Sequence, residues 1–275
     1  MSDLGTPPPT GFWNRPATWK AIVVVVGYLV FFVVVSQVVA RVFDDRIDGD
    51  DVVGSAESMF FALVLPIGIG GLALLAFAAR LGWLRDIFGP QPIRGRRWMW
   101  VAPALVVAIA LLRAIGTDWD TWSANEVLML AVLGACVGFT EELATRGLVV
   151  KMLRDAGHAE RFVAVVSSLL FAAMHMTNLI SGMELNTVLA TVAYTFCFGM
   201  CMYLSMRVTG SFVTAIVLHA ITDPTGILAS GGVDQSVDGN TTNAPVAIAG
   251  LLTTVMMVFA LVAAFRVRGK IGVTG

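Results

Sequence analysis

Long apolar runs alternate with short polar breaks along the chain. Eight runs reach the roughly 20 mostly apolar residues that a bilayer-spanning helix needs. They predict helices over about 20–41, 57–80, 97–116, 127–151, 161–181, 186–207, 211–230 and 246–265. The first run follows a polar start containing Pro7, Pro8 and Pro9. It has no small-residue cleavage site and is too long for a signal-peptide core, so it is expected to be a retained anchor helix. The breaks are short, about 15 residues at most, with no nucleotide-binding glycine loop and no internal repeat of the transporter kind. The pattern predicts an all-α polytopic membrane protein of about eight transmembrane helices. It forms one integral membrane domain over 1–275.

Composition agrees with the pattern. Apolar residues make up 57% of the 275 positions and charged residues 13%, against about 45–50% and 25% in soluble domains. A soluble enzyme, a disordered regulator and a coiled coil are excluded. The net charge of -1 supplies no basic field to draw nucleic acid. Placing the N-terminus in the cytoplasm puts 14 of the 18 Lys and Arg on the inner side, 3 outside (Arg41, Arg46, Arg113) and Arg146 within a span. The positive-inside rule therefore predicts both termini cytoplasmic, and the expected location is a bacterial cytoplasmic membrane. Asp44, Asp45, Asp48, Asp50 and Asp51 crowd the first outer loop as a hydrated turn, without EF-hand spacing. Arg94, Arg96, Arg97, Trp98 and Trp100 read as an interfacial anchor. His158 reads as a surface residue, and Cys136, Cys197 and Cys201 as packing residues.

Ionisable groups inside spans point to function, because each costs about 2.5–3.5 kcal/mol at a helix centre. Span four carries Glu141, Glu142 and Arg146. Glu142 and Arg146 stand at i, i+4 in the favourable acid-before-base order and are expected to pair. Glu141 is turned about 100° away, onto the face of Gly134 and Gly138, where another helix can approach closely. It must be protonated or met by donors from other spans. Span five carries His175. Span seven carries His219 and Asp223 at i, i+4, followed by Pro224, which is expected to kink the helix and free a carbonyl beside the pair. At about 1.5 Å per residue, Glu141, His175, His219 and Asp223 lie roughly 15, 21, 12 and 18 Å from the cytoplasmic end. They share one layer near mid-membrane.

A carboxylate with imidazoles at that depth supports water activation, with glutamate as general base and histidine as helper or oxyanion donor. A His/His/carboxylate set can alternatively hold Zn²⁺ with an open position for water. No serine nucleophile elbow and no HExxH zincin motif is present. A non-catalytic scaffold and an ion-coupled transporter are the competing classes.

Three motifs in order resemble the CPBP family of intramembrane proteases, which includes CAAX prenyl endopeptidases and bacteriocin-processing or immunity membrane proteins. Glu141-Glu142-x-x-x-Arg146 is similar to its EExxxR, Phe171-x-x-x-His175 to its FxxxH, and His219-x-x-x-Asp223 to its HxxxN or HxxxD. The resemblance covers a core of about 125–230. It implies an intramembrane endopeptidase acting on a membrane-associated, optionally lipidated, peptide or protein. Glu141 would activate water with His175 helping, Glu142 and Arg146 would hold the helix, and His219 and Asp223 would complete the site. If a divalent metal such as Zn²⁺ takes part, the implied ligands are Glu141, His175, His219 and Asp223; otherwise no cofactor is implied. The third motif ends in Asp where the prenyl endopeptidases carry Asn. The extra negative charge favours a cation or a protonated partner at the site. Besides substrate, the expected partner is the lipid bilayer, and nothing in the sequence fixes an oligomeric state.

Overall fold

Polar caps and glycine stops bound the apolar runs. Ser123 and Glu126 form a capping box: the Ser123 amide donates to Glu126 Oε2 at 2.7 Å and the Glu126 amide to Ser123 Oγ at 3.3 Å. Asn243 Oδ1 accepts from the Val246 amide at 3.2 Å. Gly210 and Gly231 end two helices in the left-handed region (φ +76° and +82°), where only glycine is unstrained. The computed structural model describes residues 11–180, 182–232 and 243–272. The start at Pro7–Pro9 lies outside the described residues.

Among the described residues all regular structure is helical, and eight helices are long and apolar enough to cross a membrane. They are α1 (Trp19–Val42), α2 (Ala56–Arg80), α3 (Arg97–Gly116), α4 (Ala124–Asp155), α5 (Glu160–Leu179), α6 (Leu185–Thr209), α7 (Phe212–Ser230) and α8 (Ala244–Arg266). Each overlays one predicted run, so the protein is an integral membrane protein of eight spans. The segment Arg97–Trp100, expected as part of a surface anchor, is the first turn of α3, with Met99 buried and Trp100 exposed.

The most extensive helix pair is α4 with α7. Gly134 and Gly138 make it possible. A Cβ on Gly134 would sit 2.4 Å from both Ala220 O and Pro224 Cγ, and one on Gly138 would sit 2.8 Å from Ala220 N. Helix α7 runs through Pro224 as one helix. The Ala220 carbonyl, whose partner amide Pro224 lacks, is the atom held against Gly134. Backbone crowding cannot be relieved by a rotamer change. Gly134→Ala is therefore expected to lower stability by about 1–3 kcal/mol, read as a lower melting temperature in detergent. Helix α6 is the most deeply buried span and packs against α5, α7, α8 and α3. Helix α2 packs against α4 and α1.

One end of the bundle is fastened by a buried ion cluster. Arg154 grips Glu160 with two hydrogen bonds of 2.9 and 2.8 Å. Arg207 Nη1 reaches the same carboxylate at 2.5 Å, and the Tyr203 hydroxyl donates to it. Arg207 also donates to Ile93 O and Arg94 O at 3.1 and 3.2 Å, while the Glu160 amide donates to Gly269 O at 2.9 Å. Arg154 and Arg207, two of the 14 inner-side cations, thus share one buried glutamate. His158 is not a free surface residue: it is half-buried, stacked on Phe162 and 2.6 Å from Thr18 Oγ1 at the start of α1. These contacts bring both ends of the described chain to the same end of the bundle.

Candidate active site

The site is built on a buried ion pair. Glu142 and Arg146 pair at 3.2 Å with both side chains fully buried. Helix α4 widens into a π-turn over Leu143–Val149 at this point, an irregularity common at functional sites. Thr145 Oγ1 donates to Glu141 O at 2.7 Å, and Arg146 Nη1 lies 2.6 Å from Thr145 Oγ1. Among the described residues Arg146 Nε and Nη2 have no protein acceptor. The guanidinium instead lies over the Phe171 ring, 4.4 Å from its centroid. Gly199 of α6 leaves the room, since a Cβ there would meet Arg146 Nη2 at 2.6 Å and Phe171 Cδ1 at 3.1 Å.

His219 joins this platform to the accessible face. Its Nδ1 lies 3.0 Å from Glu142 Oε1. The carboxylate can only accept, so Nδ1–H donates. Its Nε2 then faces Asp223 Oδ2 at 3.4 Å and Glu141 Oε2 at 3.9 Å. The ring is wedged edge-on between Phe171 and Phe198, with centroids at 5.6 and 5.1 Å. Exposure divides the carboxylates by role. Glu142 is at 0%, whereas Glu141 and Asp223 are 20% and 36% exposed. The last two are reachable and Glu142 is not.

His175 makes no ion pair with the carboxylates within 4 Å, but it lies near enough to Glu141 to act on its charge. It ends the regular part of α5, where the helix tightens into a 3₁₀ turn over His175–Leu179. Its Nδ1 lies 3.1 Å from Phe171 O and its ring 5.2 Å from the Phe171 ring. Phe171 thus touches both histidines and Arg146. Zinc needs its ligands at about 2.0–2.2 Å in tetrahedral array. Among the described residues no three His, Cys, Asp or Glu side chains are grouped to hold an ion. No step below runs through a metal at Glu141, His175, His219 and Asp223.

Three participants escape sequence reading. Phe198 and Gly199 sit in an apolar span with no polar mark, and Tyr194 stacks on Phe198 at 6.0 Å. The only sequence signal was the i, i+4 spacing of Tyr194 and Phe198, shared by many aromatic pairs in spans. Beside the site, an apolar groove of about 500 Å³ runs between α2 and α4. Its walls include Phe60, Leu72, Phe139 and Thr140, the neighbour of Glu141.

Fold and site together define an integral membrane protein with carboxylates and imidazoles gathered among its spans. Within that class, residues 122–225 match the family model of the type II CAAX prenyl endopeptidase Rce1-like proteins, a protease family. The matched stretch holds all three motifs, in agreement with the resemblance drawn from them. No curated protein and no solved structure gives a significant match to the chain.

Proposed function

We propose that the chain is an intramembrane endopeptidase that hydrolyses a peptide bond of a membrane-associated, lipidated peptide or protein. One observation carries this reading. Glu141 and His219 Nε2 face each other at 3.9 Å on the accessible side of a fully buried ion pair, inside the protease-like segment. That separation exceeds a direct hydrogen bond and suits two groups sharing one water.

The chemistry follows from the placement. Glu141 takes a proton from the shared water as general base. The water oxygen bonds to the scissile carbonyl carbon, and the electron pair moves onto the carbonyl oxygen. His219, held by Glu142 through Nδ1, directs Nε2 at the reacting atoms, and His175 supplies a second imidazole for the oxyanion. Collapse breaks the C–N bond, and Glu141 returns the proton to the leaving amine. Asp223 keeps His219 oriented from the accessible side.

The apolar groove supports a lipidated substrate. Leu72 in its wall is 66% exposed, so on a membrane-embedded helix it faces lipid, and a chain can slide in from the bilayer. An isoprenoid chain in the groove would lie next to Thr140 and deliver its peptide to Glu141. The charge count supports cytoplasmic termini in a bacterial cytoplasmic membrane.

The test is cleavage by protein purified into vesicles. A lipidated peptide is expected to be cut faster than its unlipidated twin, by tenfold or more, and equal rates would contradict the groove assignment. Activity is expected to survive extensive treatment with EDTA and phenanthroline. Loss of activity that added Zn²⁺ restores would contradict the metal-free route.

A further inference from the structure

Helix α1 lies outside the family-matched segment 122–225, yet it brings a polar group into the bundle at the depth of the site. Tyr28 stands nine residues in from Trp19, or about 14 Å at 1.5 Å per residue. Glu141 lies roughly 15 Å from the same end of the bundle, the end where Thr18 meets His158. Tyr28 is only 7% exposed. A buried phenol normally finds a hydrogen-bond partner, as Tyr203 does in Glu160. The Tyr28 hydroxyl makes no hydrogen bond among the described residues.

Two adjacent glycines of α2 fix where that hydroxyl lies. A Cβ on Gly70 would stand 3.0 Å from Tyr28 Cε2 and 3.8 Å from its hydroxyl oxygen. A Cβ on Gly71 would overlap Thr140 Oγ1. Thr140 directly precedes Glu141, so the phenol and the general base meet the same short stretch of α2. Helix α1 also packs on the π-turn Leu143–Val149 that follows Glu141. The phenol is near enough to Glu141 for the carboxylate's charge to act on it. His219 reaches Glu141 from α7, and Tyr28 approaches from α1.

Packing does not call for the hydroxyl. Tyr28 stacks on Phe32 through its ring, with centroids 6.2 Å apart, and a phenylalanine would do the same. A buried donor without an acceptor is unfavourable. An acceptor that arrives with the substrate offsets that penalty, and the peptide carbonyl attacked beside Glu141 is one.

We propose that Tyr28 is a catalytic residue whose hydroxyl donates a hydrogen bond to the scissile carbonyl oxygen as negative charge develops there. The proposal rests on the endopeptidase reading. The phenol keeps its proton throughout, and the proton transfers remain those of Glu141. Tyr28 and His175 then share the oxyanion, and α1 becomes part of the active site.

The test uses the full chain in vesicles with a lipidated peptide. Tyr28→Phe keeps the ring and removes the donor. Its single-turnover cleavage rate is expected to fall by about 10²–10³-fold, the range for one lost oxyanion donor, with the parent's melting temperature. Peptide affinity is compared in Glu141→Gln and in Glu141→Gln, Tyr28→Phe, where no turnover intervenes. The two are expected to agree within about twofold, because the bond forms only as charge develops. A folded Tyr28→Phe protein that cuts at the parent's rate overturns the proposal. So does a rate loss matched by an equal loss of affinity, which would make Tyr28 a binding residue. If Tyr28→Phe does not fold, Tyr28→4-fluorophenylalanine fills the hydroxyl's space without its proton: a slowed rate supports the proposal and an unchanged one overturns it. The parent and Glu141→Gln are run alongside. Cleavage that needs Glu141 but not the Tyr28 hydroxyl overturns this proposal alone. A parent that cuts no faster than Glu141→Gln overturns the endopeptidase reading and this proposal with it.

Discussion

Glu141→Gln is expected to lower kcat/KM for a lipidated peptide by about 10²–10⁴-fold, the range associated with a lost general base, while the protein stays folded. The substitution keeps the side-chain volume and removes only the ability to take a proton. Among the described residues its carboxylate makes no hydrogen bond that the amide would lose. Glu141 is 20% exposed and its closest charged neighbour, His219 Nε2, is 3.9 Å away, beyond a direct hydrogen bond. The buried pairing runs through Glu142 instead. Measured side by side in vesicles, the variant should show the wild-type melting temperature and almost no turnover. A folded variant with full turnover would remove Glu141 from the mechanism.

Arg146→Met is expected to do the opposite, with stability lost before chemistry. Arg146 and Glu142 are both at 0% exposure, and removing one partner leaves a buried charge uncompensated. Such losses run to about 3–5 kcal/mol. The guanidinium's stacking on Phe171 at 4.4 Å is lost as well. The double variant Glu142→Gln, Arg146→Met removes both charges, so it should recover part of the loss, and the non-additivity measures the coupling. Denaturation in detergent reads all three proteins. An Arg146→Met protein as stable as the parent would show that the ion pair does not hold the platform. Gly199→Val should resemble Arg146→Met, because its side chain would occupy the space Arg146 Nη2 now fills.

Much of this architecture is legible in one sequence because a bilayer imposes long apolar runs. Eight such runs give eight spans with matching positions. Pairs on a single helix are legible too. Glu142 with Arg146 and His219 with Asp223 follow from i, i+4 spacing and meet at 3.2 and 3.4 Å. The Gly134–Gly138 face marks a close helix approach before its partner, α7, is known. What stays hidden is set by tertiary neighbours. Nothing in α6 distinguishes Phe198 or Gly199 from other apolar positions, yet one flanks His219 and the other makes room for Arg146. The π-turn over Leu143–Val149 has no local signature in the sequence. Arg154, Arg207 and His158 look like hydrated loop residues because their partners, Glu160 and Thr18, come from other segments. Pro224 is visible as a helix defect, but the glycine that accommodates it lies on another span.

The central claim is that Glu141 makes this membrane protein cut peptide bonds. It is tested most directly by profiling peptide termini in membranes of cells carrying the wild-type protein and cells carrying Glu141→Gln at matched levels. The account predicts new termini that require Glu141, arising on lipid-anchored proteins. Identical profiles, with the variant folded and inserted, would contradict it and point to a non-catalytic membrane protein of the same fold.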